Sequence, residues 1–102
     1  MIVELQCLAS PAGTPDDPYK HIDAAIGVVQ GSGLKYEVGA LGTTVEGEPD
    51  EVWPLMRQVH EACLNAGAMG LVTVIKVEQA AQAGGPTIDS LTGKFREAND
   101  GN

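Results

Sequence analysis

The sequence has few basic residues, few cysteines and no long apolar run. Six lysines and arginines stand against fourteen aspartates and glutamates in 102 residues, which gives a formal net charge of −8. This excess of carboxylates repels phosphate backbones and anionic lipid surfaces, so we expect no binding to nucleic acid or to a membrane. The two cysteines, Cys7 and Cys63, are too few for a disulfide scaffold. We expect both to stay thiols and to pack in the core.

The absence of a long apolar run bears on the location of the protein. The longest stretch without a charge, residues 62–75, is shorter than the roughly twenty apolar residues that span a bilayer. The first residues alternate between apolar and polar, and they include neither a basic segment nor the long apolar core of a secretory signal. These features predict a cytoplasmic protein without a transmembrane helix.

The length and composition favour one globular domain. The chain has 43% hydrophobic and 20% charged residues, which is typical of folded proteins, and its length fits one compact unit. We expect a single domain over residues 1–98 and a frayed tail over residues 99–102.

The spacing of apolar residues divides this domain into strands and helices. Alternation predicts four strands, at residues 2–9, 34–38, 43–46 and 71–77. Stripes at three- and four-residue steps predict two helices, near residues 18–30 and 50–66. Asp17 is expected to cap the first helix, and Gly31 and Gly67 to end the two helices. The last strand is the most apolar, so we expect it in the centre of the sheet. Residues 79–98 indicate a connection and then a short helix with Ile88, Leu91 and Phe95 on one face.

The order of these elements predicts an α+β fold of the ferredoxin-like βαββαβ type. Right-handed crossovers would place both helices on one face of a four-stranded antiparallel sheet and leave the other face open. By alternation, the open face would be polar and would carry Glu4, Gln6, Lys35, Glu37, Thr44 and Glu46, with either Val74 and Lys76 or their neighbours.

Two carboxylates on that face are candidates for binding. Glu37 and Glu46 lie on neighbouring predicted strands and on the same side of the sheet. Close carboxylates repel each other and favour a shared proton, a cation or a positively charged ligand. The alternative is a salt-bridged surface in which Lys35 and Lys76 neutralise them. Tyr36 could stack on an aromatic ligand or pack in the core.

A second chemical candidate is weaker. His60 and Cys63 are three residues apart on the second predicted helix, which is the spacing of a metal pair or of a thiol and its base. Cys63, however, belongs to the apolar stripe, and a zinc site needs about four ligands. We therefore expect no metal site, and an enzyme that uses these two residues is disfavoured.

A family resemblance is carried by residues 32–37 (SGLKYE), 42–48 (GTTVEGE), 50–52 (DEV) and 60–62 (HEA). Through these segments the sequence resembles the small thiamine-binding protein family over residues 1–78. The resemblance implies a ferredoxin-like fold, a ligand that is thiamine or its hydroxymethylpyrimidine part, and dimers or tetramers that assemble through their sheets. The sequence departs from the family pattern at residues 40–41, 68–70 and 78–80, which concern the hairpin lip and a subunit edge.

Together these observations predict a non-enzymatic homo-oligomer that binds thiamine or hydroxymethylpyrimidine and needs no cofactor. A cationic or aminopyrimidine ligand suits carboxylates and hydroxyls, and the lack of a phosphate-binding loop favours free thiamine over its diphosphate. Six ligand-binding residues are predicted: Glu37 and Glu46 for charge, Thr43 and Thr44 for hydrogen bonds, Tyr36 as an aromatic wall and Gln6 as a polar floor. The alternative is a structural or regulatory oligomerisation module that binds no small molecule.

Overall fold

A computed structural model describes the backbone of residues 1–100 and the side chains of residues 1–96. It contains four strands, β1 (Ile2–Ser10), β2 (Lys35–Val38), β3 (Thr43–Glu46) and β4 (Gly70–Glu78). It also contains three helices, α1 (Lys20–Gln30), α2 (Pro49–Ala66) and α3 (Ile88–Asp100). The predicted α+β ferredoxin-like fold is confirmed. The predicted tail overlaps the end of α3, and its residues 101–102 lie outside the described residues.

The sheet is antiparallel with the strand order β2-β3-β1-β4. The expectation that the last strand is central is wrong, because β4 pairs only with β1 and forms an edge. Its apolar residues do not mark a doubly buried strand, since Val72 is 62% exposed. The ferredoxin-like connection itself places β1 and β3 in the centre.

The two faces of the sheet differ in what covers them. Odd-numbered β1 residues such as Val3 and Leu5 are buried on the side of α1 and α2, where the core lies. The register pairs Glu4 with Thr44 and Lys76, so these side chains share the other face, which we term the open face. The register places the six predicted polar residues on the open face, but the β1–β4 part of this face is apolar because it also carries Leu8, Val72 and Val74. None of the described helices is long and apolar enough to cross a membrane.

The first helix begins later than expected. Asp17 does not cap it: α1 starts at Lys20, with Tyr19 at the N-cap position and no side-chain cap. Asp17 instead closes a turn with Thr14, in which the Thr14 N–H donates to the Asp17 carbonyl at 2.8 Å. The second helix has a capping box formed by Glu48 and Glu51.

A buried histidine joins the two core helices at their ends. His21 of α1 is 3% exposed, and its Nδ1 lies 2.8 Å from the carbonyl oxygen of Pro11. A carbonyl only accepts hydrogen bonds, so Nδ1 carries the proton and donates it. Gly67, which ends α2 at a φ of +134°, approaches this ring so closely that an added Cβ would lie 2.8 Å from Nε2.

We predict that Gly67→Ala destabilises the protein by about 1–3 kcal/mol, because alanine is strained at this φ and would also contact His21. Urea unfolding followed by circular dichroism measures the effect. The control is Gly27→Ala in α1, where nothing lies within 4 Å of the added Cβ; it should stabilise by about 0.5–1 kcal/mol. Equal midpoints for the two variants would contradict the proposed role of Gly67.

Candidate functional site

The open face is partly covered by α3. Ile88, its first residue, is 2% exposed, and the Ile88 backbone N–H donates to Glu46 Oε1 at 2.6 Å. A helix N-terminus has unsatisfied N–H groups and a partial positive charge, so a carboxylate there stabilises the helix. Glu46 therefore anchors α3 to β3.

Ion pairs attach the same helix to β2. Arg96 of α3 donates to the carboxylates of Glu37 and Asp89, and Lys35 also pairs with Asp89. The hydrogen bond from Lys35, aided by Arg96, lowers the pKa of the Asp89 carboxyl. A depressed pKa means that this contribution to docking is present at neutral pH and is lost as the pH falls through the lowered value. The open face is thus salt-bridged, with Arg96 rather than Lys35 or Lys76 as the partner of Glu37.

A cavity lies on the opposite side of the sheet, and we term it the hairpin cavity. It has a volume of about 370 Å³ and is lined by β1 residues 5–9, by one face of α1, by the β2–β3 turn at residues 39–42, and by Ala12, Tyr19, Thr43 and Val59. This volume is within the range of small-molecule sites, roughly 300–1,000 Å³.

The hairpin cavity exists because β1 is longer than its neighbour β3. The pairing of β1 with β3 ends at Leu5 and Thr43, whereas its pairing with β4 continues to Ser10. Beyond Leu5, one edge of β1 therefore has no strand partner, and the turn at residues 39–42 stands beside it. The turn is tight, since the Gly39 N–H donates to the Gly42 carbonyl at 2.8 Å and a Cβ on Gly39 would lie 2.9 Å from that oxygen.

The walls of the hairpin cavity are mostly apolar and include a few polar groups. Leu5, Ile22 and Ile26 supply apolar surface, while Thr43 and Tyr19 carry hydroxyls. The free edge of β1 adds main-chain N–H and C=O groups. The lining residues that the structure describes include no charged side chain. Small-molecule sites typically combine apolar walls with a few polar groups that orient the ligand.

The structure divides the six predicted ligand-binding residues between the two sides of the sheet. Thr43 lines the hairpin cavity and is 5% exposed. Gln6 borders the same cavity at the free edge of β1, but its register with Val74 places its side chain on the open face. Tyr36 pairs with buried Val45 across β2 and β3, so its side chain lies on the helix side of the sheet. It does not line the cavity. On the open face lie the other three, Glu37, Thr44 and Glu46. Of these six residues the hairpin cavity is lined by Gln6 and Thr43 alone, and the ligand contacts of all six stay a prediction.

Several cavity residues were missed at the level of sequence. Ile22 and Ile26 belong to the apolar stripe that predicts the first helix, but they are only half-buried and line the cavity. The available signal was the length of the predicted strands: residues 2–9 are twice as many as residues 43–46, so part of β1 had to lack a partner.

The structure also shows the surroundings of His60 and Cys63, the weaker candidate pair. Cys63 is fully buried, as expected, and His60 is half-buried, with Nδ1 2.6 Å from the Thr73 hydroxyl oxygen. Both cysteines are free thiols. Within the described part of the chain, no group of three or more histidine, cysteine, aspartate or glutamate side chains is arranged to hold a metal ion.

Comparison with known proteins gives consistent similarities across the chain. Residues 4–95 match the family described as thiamine-binding protein. A UPF0045 protein of Clostridium perfringens is 32% identical over 94 residues, which are 92% of this chain and 95% of the relative. Among solved structures, a domain of unknown function, DUF77, from Bacillus cereus is 36% identical with a TM-score of 0.83, over 95% of this chain and 90% of that one. A Thermotoga maritima protein with a proposed role in thiamine biosynthesis or salvage is 30% identical with a TM-score of 0.73, over 94% of this chain and all of that one.

We predict that Glu46→Ala loosens α3 without affecting the core, because it removes the acceptor of the Ile88 N–H. A lost cap costs about 1 kcal/mol, so amide hydrogen exchange in residues 88–96 should become about fivefold faster. Glu78→Ala is the matched control. Glu46 and Glu78 both pair with Ile2, one from β3 and the other from β4, and Glu78 is exposed. If exchange in α3 is the same in both variants, Glu46 does not anchor the helix.

Proposed function

Because the chain belongs to the thiamine-binding protein family, we propose that it binds thiamine or its hydroxymethylpyrimidine part in the hairpin cavity and releases it unchanged. The observation that carries this proposal is the cavity itself: about 370 Å³ of mostly apolar space beside an unpaired strand edge. The similarity to the Thermotoga maritima protein supports a ligand of the thiamine class.

The shape and chemistry of the pyrimidine fit this space. An aminopyrimidine is flat, its two faces are apolar, and its edge carries alternating hydrogen-bond donors and acceptors. Leu5 and Ile22 offer apolar contact to the faces of the ring. The Thr43 hydroxyl and the free edge of β1 offer partners to its amino group and ring nitrogens.

The charge of the ligand decides which part of thiamine enters the cavity. Moving a cation into an apolar site that has no counter-charge costs several kcal/mol. The thiazolium ring would therefore stay at the mouth of the cavity while the neutral pyrimidine is enclosed. The net charge of −8 favours the approach of a cation and opposes thiamine diphosphate.

The alternative location is the open face, where Glu37, Thr44 and Glu46 lie. We favour the hairpin cavity, because Glu46 and Glu37 already have partners on α3. A ligand bound there would have to displace those contacts. The hairpin cavity requires no such rearrangement.

Thr43→Val and Thr44→Val form a matched pair that separates the two locations. The residues are adjacent in β3, undergo the same chemical change and point to opposite faces. We predict that Thr43→Val weakens the binding of hydroxymethylpyrimidine about fivefold, the equivalent of a lost hydrogen bond of about 1 kcal/mol. Thr44→Val should leave the affinity unchanged. Isothermal calorimetry measures both.

The ligand series provides the control for this titration. Thiamine and hydroxymethylpyrimidine should bind with similar affinity, and thiamine diphosphate more weakly. A stronger effect of Thr44→Val would move the site to the open face. If thiamine diphosphate binds most tightly, or if folded protein binds none of the three, the proposed ligand is wrong.

We also propose that the protein is a homo-oligomer that assembles through the part of the open face formed by β1 and β4. Leu8, Val72 and Val74 share this part and are 50%, 62% and 42% exposed. Contiguous exposed apolar side chains on a sheet are typical of protein interfaces. The same surface is the strongest support for the alternative function, an oligomerisation module without a ligand.

We predict that Val72→Lys reduces the oligomer to a smaller species, because it would bury a charge in the proposed interface. Analytical ultracentrifugation measures the mass. The control is Leu64→Lys on α2, which changes an exposed apolar residue on the other side of the sheet. This interface would be excluded if the wild-type protein is monomeric, or if the wild type, Val72→Lys and Leu64→Lys have equal masses.

A further inference from the structure

The hairpin cavity has a closed end and an open mouth. The lining residues Val29, Thr43 and Val59 are 5% exposed or less, so they form the closed end. Tyr19 and Leu41 also line the cavity but are 66% and 83% exposed, which places them at the mouth. Tyr19 is the one aromatic side chain among the lining residues that the structure describes. A ligand longer than the enclosed space therefore meets an aromatic ring where it emerges.

Hydrogen bonds on both sides hold the backbone of Tyr19 in place. Its carbonyl accepts the Asp23 N–H at 2.8 Å, in the first turn of α1. Further along the same turn, His21 ties α1 to the loop after β1. The His21 N–H donates to the Ala12 carbonyl at 2.9 Å, and Nδ1 donates to the Pro11 carbonyl at 2.8 Å. The aromatic ring at the mouth thus stands on a fixed backbone, which lowers the entropy lost when it contacts a ligand.

The charges near Tyr19 favour a cation at the mouth. Tyr19 occupies the N-cap position of α1, and a helix N-terminus carries about half a positive elementary charge, which opposes a bound cation. Three aspartates adjoin Tyr19 in the chain against one lysine, and all four are exposed: Asp16, Asp17, Asp23 and Lys20. The carboxylates therefore outweigh the lysine and the helix end together.

We propose that the ring face of Tyr19 binds the cationic ring of the ligand, and that this contact distinguishes thiamine from neutral molecules that fit the same cavity. The inference rests on the proposed binding of the pyrimidine in the hairpin cavity. A single methylene group joins the two rings of thiamine, so an enclosed pyrimidine leaves the thiazolium at the mouth. An aromatic face attracts a cation without a buried counter-charge. Leu41, the other mouth residue, offers apolar contact alone.

The test compares ligands that differ in charge, with isothermal calorimetry as the measurement. The ligands are thiamine, hydroxymethylpyrimidine and a thiamine analogue in which a neutral thiophene replaces the thiazolium. Tyr19→Leu should weaken thiamine about two- to fivefold, the range of an exposed cation–π contact, and leave the other two ligands unchanged. Tyr19→Phe keeps the ring and should keep the affinity for thiamine. The control Phe95→Leu removes a ring that is 61% exposed on α3, outside the cavity lining, and should change no affinity.

Equal losses for thiamine and its neutral analogue in Tyr19→Leu would overturn the proposal, because the ring would then act by apolar contact alone. It is also overturned if Tyr19→Phe loses as much affinity as Tyr19→Leu, or if Phe95→Leu weakens thiamine. Unchanged binding of hydroxymethylpyrimidine shows that each variant is folded. Wild-type protein that binds hydroxymethylpyrimidine, without a charge-selective effect at Tyr19, contradicts the role of Tyr19 alone. Folded wild-type protein that binds none of the three ligands contradicts both this role and the proposed function.

Discussion

The unequal pairing of β1 with its two neighbours determines where this sheet leaves space for a ligand. One edge of β1 is paired with β4 along the whole strand, but the other is paired with β3 only as far as Leu5 and Thr43. The unpaired edge must face a turn, a ligand or solvent, because main-chain N–H and C=O groups need partners. In this protein a glycine-bordered turn and the apolar side of α1 surround that edge, and the space between them is the hairpin cavity.

Strand alternation separates charge from apolar surface across this single sheet. Adjacent residues such as Thr43 and Thr44 lie on opposite faces, so the cavity wall and the charged surface are made from the same strands. The carboxylates of Glu37 and Glu46 are oriented towards α3, where Arg96 and a helix N-terminus neutralise them. As a result the cavity side has no charged lining in the described residues, although the protein as a whole is strongly acidic.

Local patterns predicted much of this fold and little of the site. Alternation identified all four strands and the polar residues of the open face, because burial on one side leaves a period of two in the sequence. It misplaced β4, since an apolar edge strand and an apolar central strand have the same composition. The ion pair between Arg96 and Glu37 joins residues 59 positions apart, and no local pattern indicates which carboxylate a distant arginine reaches. The hairpin cavity was missed for a similar reason: it depends on the relative lengths of β1 and β3 rather than on any motif.

The proposed ligand site lies on the helix side of the sheet, beside the free edge of β1. The most direct measurement is amide chemical-shift mapping by NMR during a titration with hydroxymethylpyrimidine. We expect the largest changes in residues 5–9 and 39–43, with little change in α3. Changes concentrated in β2 residues 35–37 and in residues 88–96 would contradict this expectation, because they would place the ligand on the open face beneath α3.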